Sequence, residues 1–278
     1  MRPFAVTTDE HGRIYVFDVA KFATIVYDSS LQYLDEIHYT KGYPSTGHAF
    51  FRDSIKIVTI YERRDNDPYR NVHYIHFLDE HFQPTTSLRL DYPPIYEKLN
   101  LLNMVFVRWV FQPPYIYVNF PVLPEVYKYD LQGNLVAAFR IETRNFKQIS
   151  EKVPRKASIV RIREIYNKYS GSAWLYTFRK RYLFYAYYNS VPQKSKMKEK
   201  EVVNFSVKPL RKYYYRVLTT AGENIAPEDE HLTGEPLYCT EQGKLYILAS
   251  DEPDHRVVEV YQIVVEAPDT SQAAVLRE

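Results

Sequence analysis

Apolar and polar residues alternate along the chain in short runs separated by tight polar turns, the period expected of half-buried β-strands. The order of the runs repeats. Phe4-Ala5-Val6 leads into the turn Asp9-Glu10-His11-Gly12. Ile14-Tyr15-Val16-Phe17-Asp18 follows, then Thr24-Ile25-Val26-Tyr27-Asp28 and a last run over residues 34–39. A second clear copy spans residues 104–141. It holds Tyr115-Ile116-Tyr117-Val118-Asn119, Glu125-Val126-Tyr127-Lys128-Tyr129-Asp130 and the turn Leu131-Gln132-Gly133-Asn134. Weaker copies occupy residues 49–92, 174–225 and 236–278, the last two with the turns Ala221-Gly222-Glu223-Asn224 and Glu241-Gln242-Gly243-Lys244. A repeat of this length sets the architecture before any single residue does.

Each copy is a small sheet that would expose apolar faces and strand edges if it stood alone. Radial packing of such sheets buries the faces and leaves only short edges. The pattern therefore predicts an all-β fold, a β-propeller with five recognisable four-stranded blades at about 3–40, 48–92, 103–141, 173–226 and 235–278. They form one domain over residues 1–278. A β-sandwich does not account for a repeated four-strand order. Second runs such as Ile55-Lys56-Ile57-Val58-Thr59-Ile60 suit strands covered on both sides. The repeat breaks over residues 142–172, where Ile162, Ile165 and Tyr166 stand at helical spacing and predict a short helical insertion. Residues 192–201 read as a lysine-rich hairpin tip.

Gly12-Arg13-Ile14-Tyr15-Val16-Phe17-Asp18, followed by Ile25-Val26-Tyr27-Asp28, resembles the blade signature of NHL-repeat and TolB-like propellers. Lys41-Gly42-Tyr43-Pro44 resembles the inter-blade connection of bacterial six-bladed propellers. The resemblance implies a bacterial propeller of six blades, with the sixth either divergent or in an N-terminal portion that is absent.

Composition adds three constraints. The chain has 27 Tyr and 15 Phe against 3 Met, which favours broad pleated surfaces and leaves polar ring tips for water or a ligand. The single cysteine, Cys239, excludes an intramolecular disulfide and reads as a small buried hydrophobe. No apolar run is long enough for a transmembrane helix. The first residues do not form a signal peptide, so the chain as written reads as cytoplasmic. It would be periplasmic or extracellular if Met1 stands where a leader was removed.

The near-neutral net charge of +2 conceals a separation. Residues 140–216 hold 20 Lys and Arg against 5 Asp and Glu. Arg155, Lys156, Arg161, Arg163, Arg179, Lys180, Arg181, Arg211 and Lys212 form a candidate basic patch, interleaved with tyrosines. It would serve an anionic or nucleic-acid partner or dock on acidic neighbouring blades.

The second strand of each copy ends near an oxygen-bearing side chain: Asp18, Glu62, Asn119, Asn189 and Asp251. Converging oxygen ligands would bind Ca2+ or Mg2+, and this arrangement is similar to the metal site of gluconolactonase-type propellers. The alternative is that Asp and Asn bond neighbouring backbone N–H groups where loops begin. His48 and His231, expected on inter-blade loops, form a candidate acid/base or ligand pair. Asp9 and Glu241 read as hairpin-turn residues. No nucleophile elbow, phosphate loop or zinc spacing is present, and no required cofactor is expected. The sequence thus points to a non-catalytic propeller recognising a protein, peptide or carbohydrate through its loop face. A metal-dependent hydrolase or lactonase and an anion or nucleic-acid binder are the alternatives.

Overall fold

A computed structural model describes residues 3–18, 21, 23–38, 43–52, 55–62, 72–101, 107–154, 156–191, 210–225, 230–252, 255–265 and 274–277. Its strands form five four-stranded antiparallel sheets, the blades of a β-propeller. Blade one is β1 (Pro3–Thr8), β2 (Ile14–Asp18), β3 (Ala23–Tyr27) and β4 (Tyr33–His38). Blade two is β5 (Tyr43–Arg52), β6 (Ile55–Glu62), β7 (Val72–Leu78) and β8 (Pro84–Leu90). A five-residue helix, α1 (Pro94–Lys98), follows it. Blade three is β9 (Arg108–Gln112), β10 (Tyr115–Asn119), β11 (Glu125–Tyr129) and β12 (Leu135–Arg140). After α2 (Ile159–Tyr166), blade four comprises β13 (Ser170–Phe178), β14 (Tyr182–Ser190), β15 (Arg211–Thr219) and β16 (Glu230–Leu232). Blade five is β17 (Glu235–Cys239), β18 (Lys244–Glu252), β19 (His255–Val265) and β20 (Ala274–Arg277).

The repeat order read from the sequence holds, with three corrections. The described residues contain five blades, so the six-bladed expectation is not met among them. Blade four begins at Ser170, inside the stretch assigned to the insertion, and its outer strand lies at Glu230–Leu232, past the expected end at 226. That strand is three residues long and carries no apolar alternation, so periodicity does not reveal it. Tyr43 and Pro44, expected in a connection, start β5 opposite Tyr61 and Ile60. The inserted helix is α2, where Ser158 Oγ accepts the Arg161 N–H at 3.2 Å and caps the first turn. The lysine-rich tip lies outside the described residues.

Burial grades across each blade. The second strands β10 and β14 are nearly continuous in buried residues, whereas the outer strands β4 and β12 are largely exposed. Strands covered on both faces read as apolar runs, which is the pattern the second runs showed.

Among the described residues one turn occurs six times, beginning at Asp9, Asp28, Asp79, Asp130, Thr219 and Thr240. In each, the first residue's N–H donates to the fifth residue's carbonyl, and the fourth residue's N–H donates back to the first residue's carbonyl. The first side chain accepts the fifth residue's N–H, as Asp28 Oδ1 does from Gln32 at 2.9 Å and Thr240 Oγ1 from Lys244 at 3.0 Å. This explains the Tyr-Asp strand endings: the aspartate is the turn's own cap. The fourth residue takes positive φ. Four of the six are glycine, but Leu31 (64°) and Phe82 (60°) occupy the same conformation.

The chain packs as two compact units, residues 1–107 with 129–134, and residues 108–128 with 135–278. The first holds a cluster of Tyr15, Phe17, Val26, Ile37, Phe51, Val58 and Leu78. The second holds two clusters that sandwich blade four. Tyr117, Val126, Leu183, Tyr185 and Leu218 pack on one face, and Phe184, Tyr215, Val217, Leu245 and Ile247 on the other. Among the described residues no helix is long and apolar enough to cross a membrane.

Candidate functional site

In the second unit β13 packs beside β9 and β17, so the first strands of three successive blades are neighbours. Register brings charged and aromatic side chains to one end of these sheets. Arg108 pairs with Asn119, Ser170 with Asn189, and Asn189 with Lys212. Arg211 pairs with Ser190, and Glu235 opens β17.

Arg211 lies flat over Tyr188, its Cζ 3.9 Å from the ring centroid, in cation–π geometry. Trp174 meets Tyr188 edge-on at 6.3 Å and Tyr213 edge-on at 5.4 Å. Gly171 admits this packing: a Cβ there would fall 2.7 Å from the Tyr188 hydroxyl. On the same blade face, the Tyr176 hydroxyl donates to the Leu237 carbonyl at 2.8 Å, and its ring meets Tyr238 edge-on at 6.2 Å. Trp174, Tyr176, Tyr188, Arg211, Tyr213 and Glu235 are all half-buried, and beside them Leu210, Leu237 and Tyr238 are exposed. The set is neither sealed in the core nor free in solvent.

Electrostatics fix the protonation of these groups. Burial pushes the Arg108 pKa below its ordinary value, while Tyr176, Glu235 and Tyr188 act the other way. Guanidinium nevertheless keeps its proton. Burial, with Glu235 nearby, pushes Tyr213 up to about 12, and Arg211 opposes the rise. Burial likewise raises Tyr176, partly offset by Arg108. Neither phenol exchanges a proton near neutral pH. Burial also pushes the Cys239 thiol up to about 12, which leaves it an inert hydrophobe.

The strand-end side chains proposed from sequence lie at or next to the ends of their second strands; Asp18 and Asn119 bond their own loops, and Asn189 bonds the adjacent strand and the segment before α2. Asp18 is buried, and its Oδ1 accepts the Lys21 N–H at 3.4 Å. Asn119, fully buried, donates from Nδ2 to the Leu123 carbonyl at 3.2 Å and the Glu125 carbonyl at 2.7 Å. Asn189 accepts from Ser170 Oγ and donates to the Asn145 carbonyl at 2.9 Å. Glu62 ends β6 and Asp251 is next to last in β18, but their side chains lie outside the described residues. His48 falls within β5 rather than in a loop, and its side chain is also outside them. His231 is on β16, again not in a loop, with its ring edge-on to Tyr214 at 5.7 Å. The short edge strand that periodicity missed accounts for that displacement. Among the described residues no group of three or more His, Cys, Asp or Glu is placed to hold a metal ion.

The basic patch divides. Arg161 is met by Glu164 at 3.2 Å and Glu151 at 3.4 Å, and Glu151 also holds Lys168 at 3.2 Å. Arg179 donates to the Ile263 carbonyl at 3.2 Å and, with Lys180, makes the β13–β14 turn at positive φ. Lys156, Lys180, Arg181 and Lys212 are exposed, and Arg211 belongs to the aromatic site. Arg155 lies outside the described residues, as does the Arg163 side chain. Charge and composition singled out Arg211 among its neighbouring tyrosines but missed Arg108, Trp174, Tyr176 and Glu235. A signal existed: the chain's only two tryptophans, Trp109 and Trp174, both stand on first strands of adjacent blades.

No family model and no curated protein matches the chain. A protein of unknown function from Bacteroides caccae is similar in structure over 98% of this chain and 81% of its own, with a TM-score of 0.51 and 9% identity. A member of the duf4221 family from Bacteroides vulgatus covers 94% of this chain and 93% of its own, at a TM-score of 0.48 and 9% identity. A protein from Lactobacillus plantarum is similar over 99% of this chain and 70% of its own, at a TM-score of 0.49 and 11% identity. At such identities the likeness is one of fold.

Proposed function

We propose that this protein is a non-catalytic recognition propeller of the NHL/TolB-like kind, which binds a protein or peptide segment carrying an acidic group at the aromatic–arginine end of the second unit. The observation that carries the reading is the Arg211 guanidinium stacked on Tyr188 beside Trp174 and Tyr213. Arginine and large aromatics, half-buried and held rigid, are the residue types that dominate binding energy at interfaces. A planar guanidinium with its stem fixed offers a preorganised fork to a carboxylate. The exposed Leu210, Leu237 and Tyr238 extend the contact with apolar surface. Strand ends on a repeated scaffold leave the site rigid while the loops vary.

The chemistry of the set supports a non-catalytic reading. Burial holds the Tyr176 and Tyr213 phenols protonated, the Tyr176 hydroxyl is committed to a backbone carbonyl, and the thiol is inert. Selection of a random peptide library against the purified protein tests the reading. Enriched peptides should share an acidic residue next to an aromatic or aliphatic one, and their affinity should fall about tenfold or more in R211A. Turnover of a lactone or glycoside that is lost in R211A would overturn it. Glycan binding in place of peptide binding would replace the protein ligand by a carbohydrate.

A further inference from the structure

The third strand of blade five is longer than its outer neighbour. β19 has eleven residues, and β20 pairs with it only from Gln262 to Val265. Among the described residues no strand lies along 257–260 on that side. In the first unit the third strands are covered. Every residue of β3 pairs with β4, and β7 pairs with β8 from His73 to Leu78. Register fixes the direction of the open backbone. The Ile263 N–H donates to the Gly243 carbonyl at 2.8 Å, on the β18 side. Alternate residues of an antiparallel strand bond to opposite sides. Val257 and Glu259 therefore bond toward β18, and Val258 and Val260 point their N–H and C=O outward.

The side chains do not guard this edge. Val258 and Val260 are each 47% exposed, on the sheet face that carries their cross-strand neighbours Leu248 and Tyr246. Tyr246 pairs in turn with the exposed Tyr238, their ring centroids 6.3 Å apart, so the apolar face runs over three strands. Glu259, the one charged residue of 257–260, is turned to the opposite face. There its Oε2 accepts the Thr233 hydroxyl at 2.8 Å and the Tyr261 hydroxyl at 2.6 Å. Lysine and proline commonly protect exposed sheet edges, and β19 contains neither.

We propose that this edge is a self-association site, where β19 of a second copy of the chain adds as an antiparallel strand across a two-fold axis at Val258. The β19–β20 ladder already places an antiparallel strand on the same edge, and the second copy continues it. The edge is self-complementary about that axis. Val258 meets its own counterpart and bonds it reciprocally through N–H and C=O. Arg256 falls opposite Val260 of the second copy and Glu259 opposite Val257, so no like charges face each other. Such a two-fold contact closes on itself and stops at a dimer. It rests on blade five alone and not on the peptide-binding reading of the Arg211 face.

Gel filtration with light scattering at rising protein concentration is the test. The wild type should reach the mass of a dimer. V258K and V258E each set like charges face to face on the axis and should weaken association about tenfold or more. An equimolar mixture of the two variants should restore the dimer, because opposite charges then meet. V6K charges a valine of β1 that is 60% exposed and should associate as the wild type does. Position 258 is exposed, so the circular dichroism of both variants should match the wild type. A wild type that stays monomeric would overturn the proposal, as would V258K that still dimerises or a mixture no more dimeric than its components. An equal loss in V6K would also overturn it, since that is general adhesion of exposed apolar surface.

Discussion

The strand-end face of the second unit and, in the first, the cavity of about 480 Å3 bordered by the turn tips Asp9-Glu10-His11 and Asp79-Glu80-His81 use charge in opposite ways. In the former, Arg211 is laid on Tyr188, and the half-buried Arg108 feels the opposing charge of Glu235, so the cations are held among rings and beside a carboxylate. In the latter, the half-buried Asp9 and Asp79 hold turns whose exposed glutamates and histidines project from the tips. The cavity is made of the repeat itself, two copies of one turn. The strand-end face is made of departures from the repeat: a tryptophan, a glycine and a glutamate at positions where the other blades carry different residues. A repeated scaffold thus shapes one surface by duplication and another by local exception.

The sharpest way to break this comparison is at Asn119. If the strand-end asparagine clamps its own loop, Asn119→Ala leaves the Leu123 and Glu125 carbonyls short of a donor and should cost about 1–3 kcal/mol in denaturant unfolding. Addition of Ca2+ should not change that difference. A stable N119A protein, or a calcium-dependent loss, would return Asn119 to a ligand role.

Asp9 offers a smaller effect with a pH signature. Burial raises its pKa, but the bonds from Arg13 and Tyr15 outweigh burial and hold it below the ordinary 3.8. A carboxylate depressed in the folded state stabilises at pH above its unfolded value, and that contribution is lost as pH falls through the folded value. Asp9→Asn should therefore destabilise by about 1 kcal/mol near neutral pH. The gap from wild type should narrow only below about pH 4. A gap that persists unchanged into acid would mean that the turn and not the charge is responsible.

The smallest expected effect lies at Leu31, which is exposed and held at φ 64° in the turn where other blades use glycine. Leu31→Gly relieves the left-handed strain at some cost in unfolded-state entropy and should stabilise by about 0.5–1 kcal/mol. Phe82 occupies the same place but packs against the first unit's core and covers Lys56, so Phe82→Gly should destabilise instead. The pair separates the turn's backbone preference from what its side chain touches.

The fold was readable in the sequence because period-two alternation and the Asp-x-x-Gly turns act locally. Where glycine gave way to Leu31 and Phe82, the turn left no glycine signature, and the three-residue β16 was too short to show a period. The aromatic–arginine face was only partly readable. Arg211 and the tyrosine run stood out by charge and composition, but Arg108, Trp174 and Glu235 come together only once three blades are packed. The strand-end oxygens were located correctly along their strands. What alternation does not reveal is that Asn119 turns back onto its own loop and that Asn189 is held by Ser170 of the adjacent strand and by the Asn145 carbonyl. The twin Asp-Glu-His tips are plain in the sequence, yet only the register of two blades makes them neighbours.

The central claim is that recognition resides on the Arg211–Tyr188–Trp174 face and not in the turn-tip cavity. A peptide selected on the wild type, titrated in parallel into R211A and E10Q/E80Q, tests it most directly. A loss of about tenfold or more in R211A with unchanged affinity in E10Q/E80Q is the predicted result. Unchanged binding in R211A, with its circular dichroism matching the wild type, would contradict it.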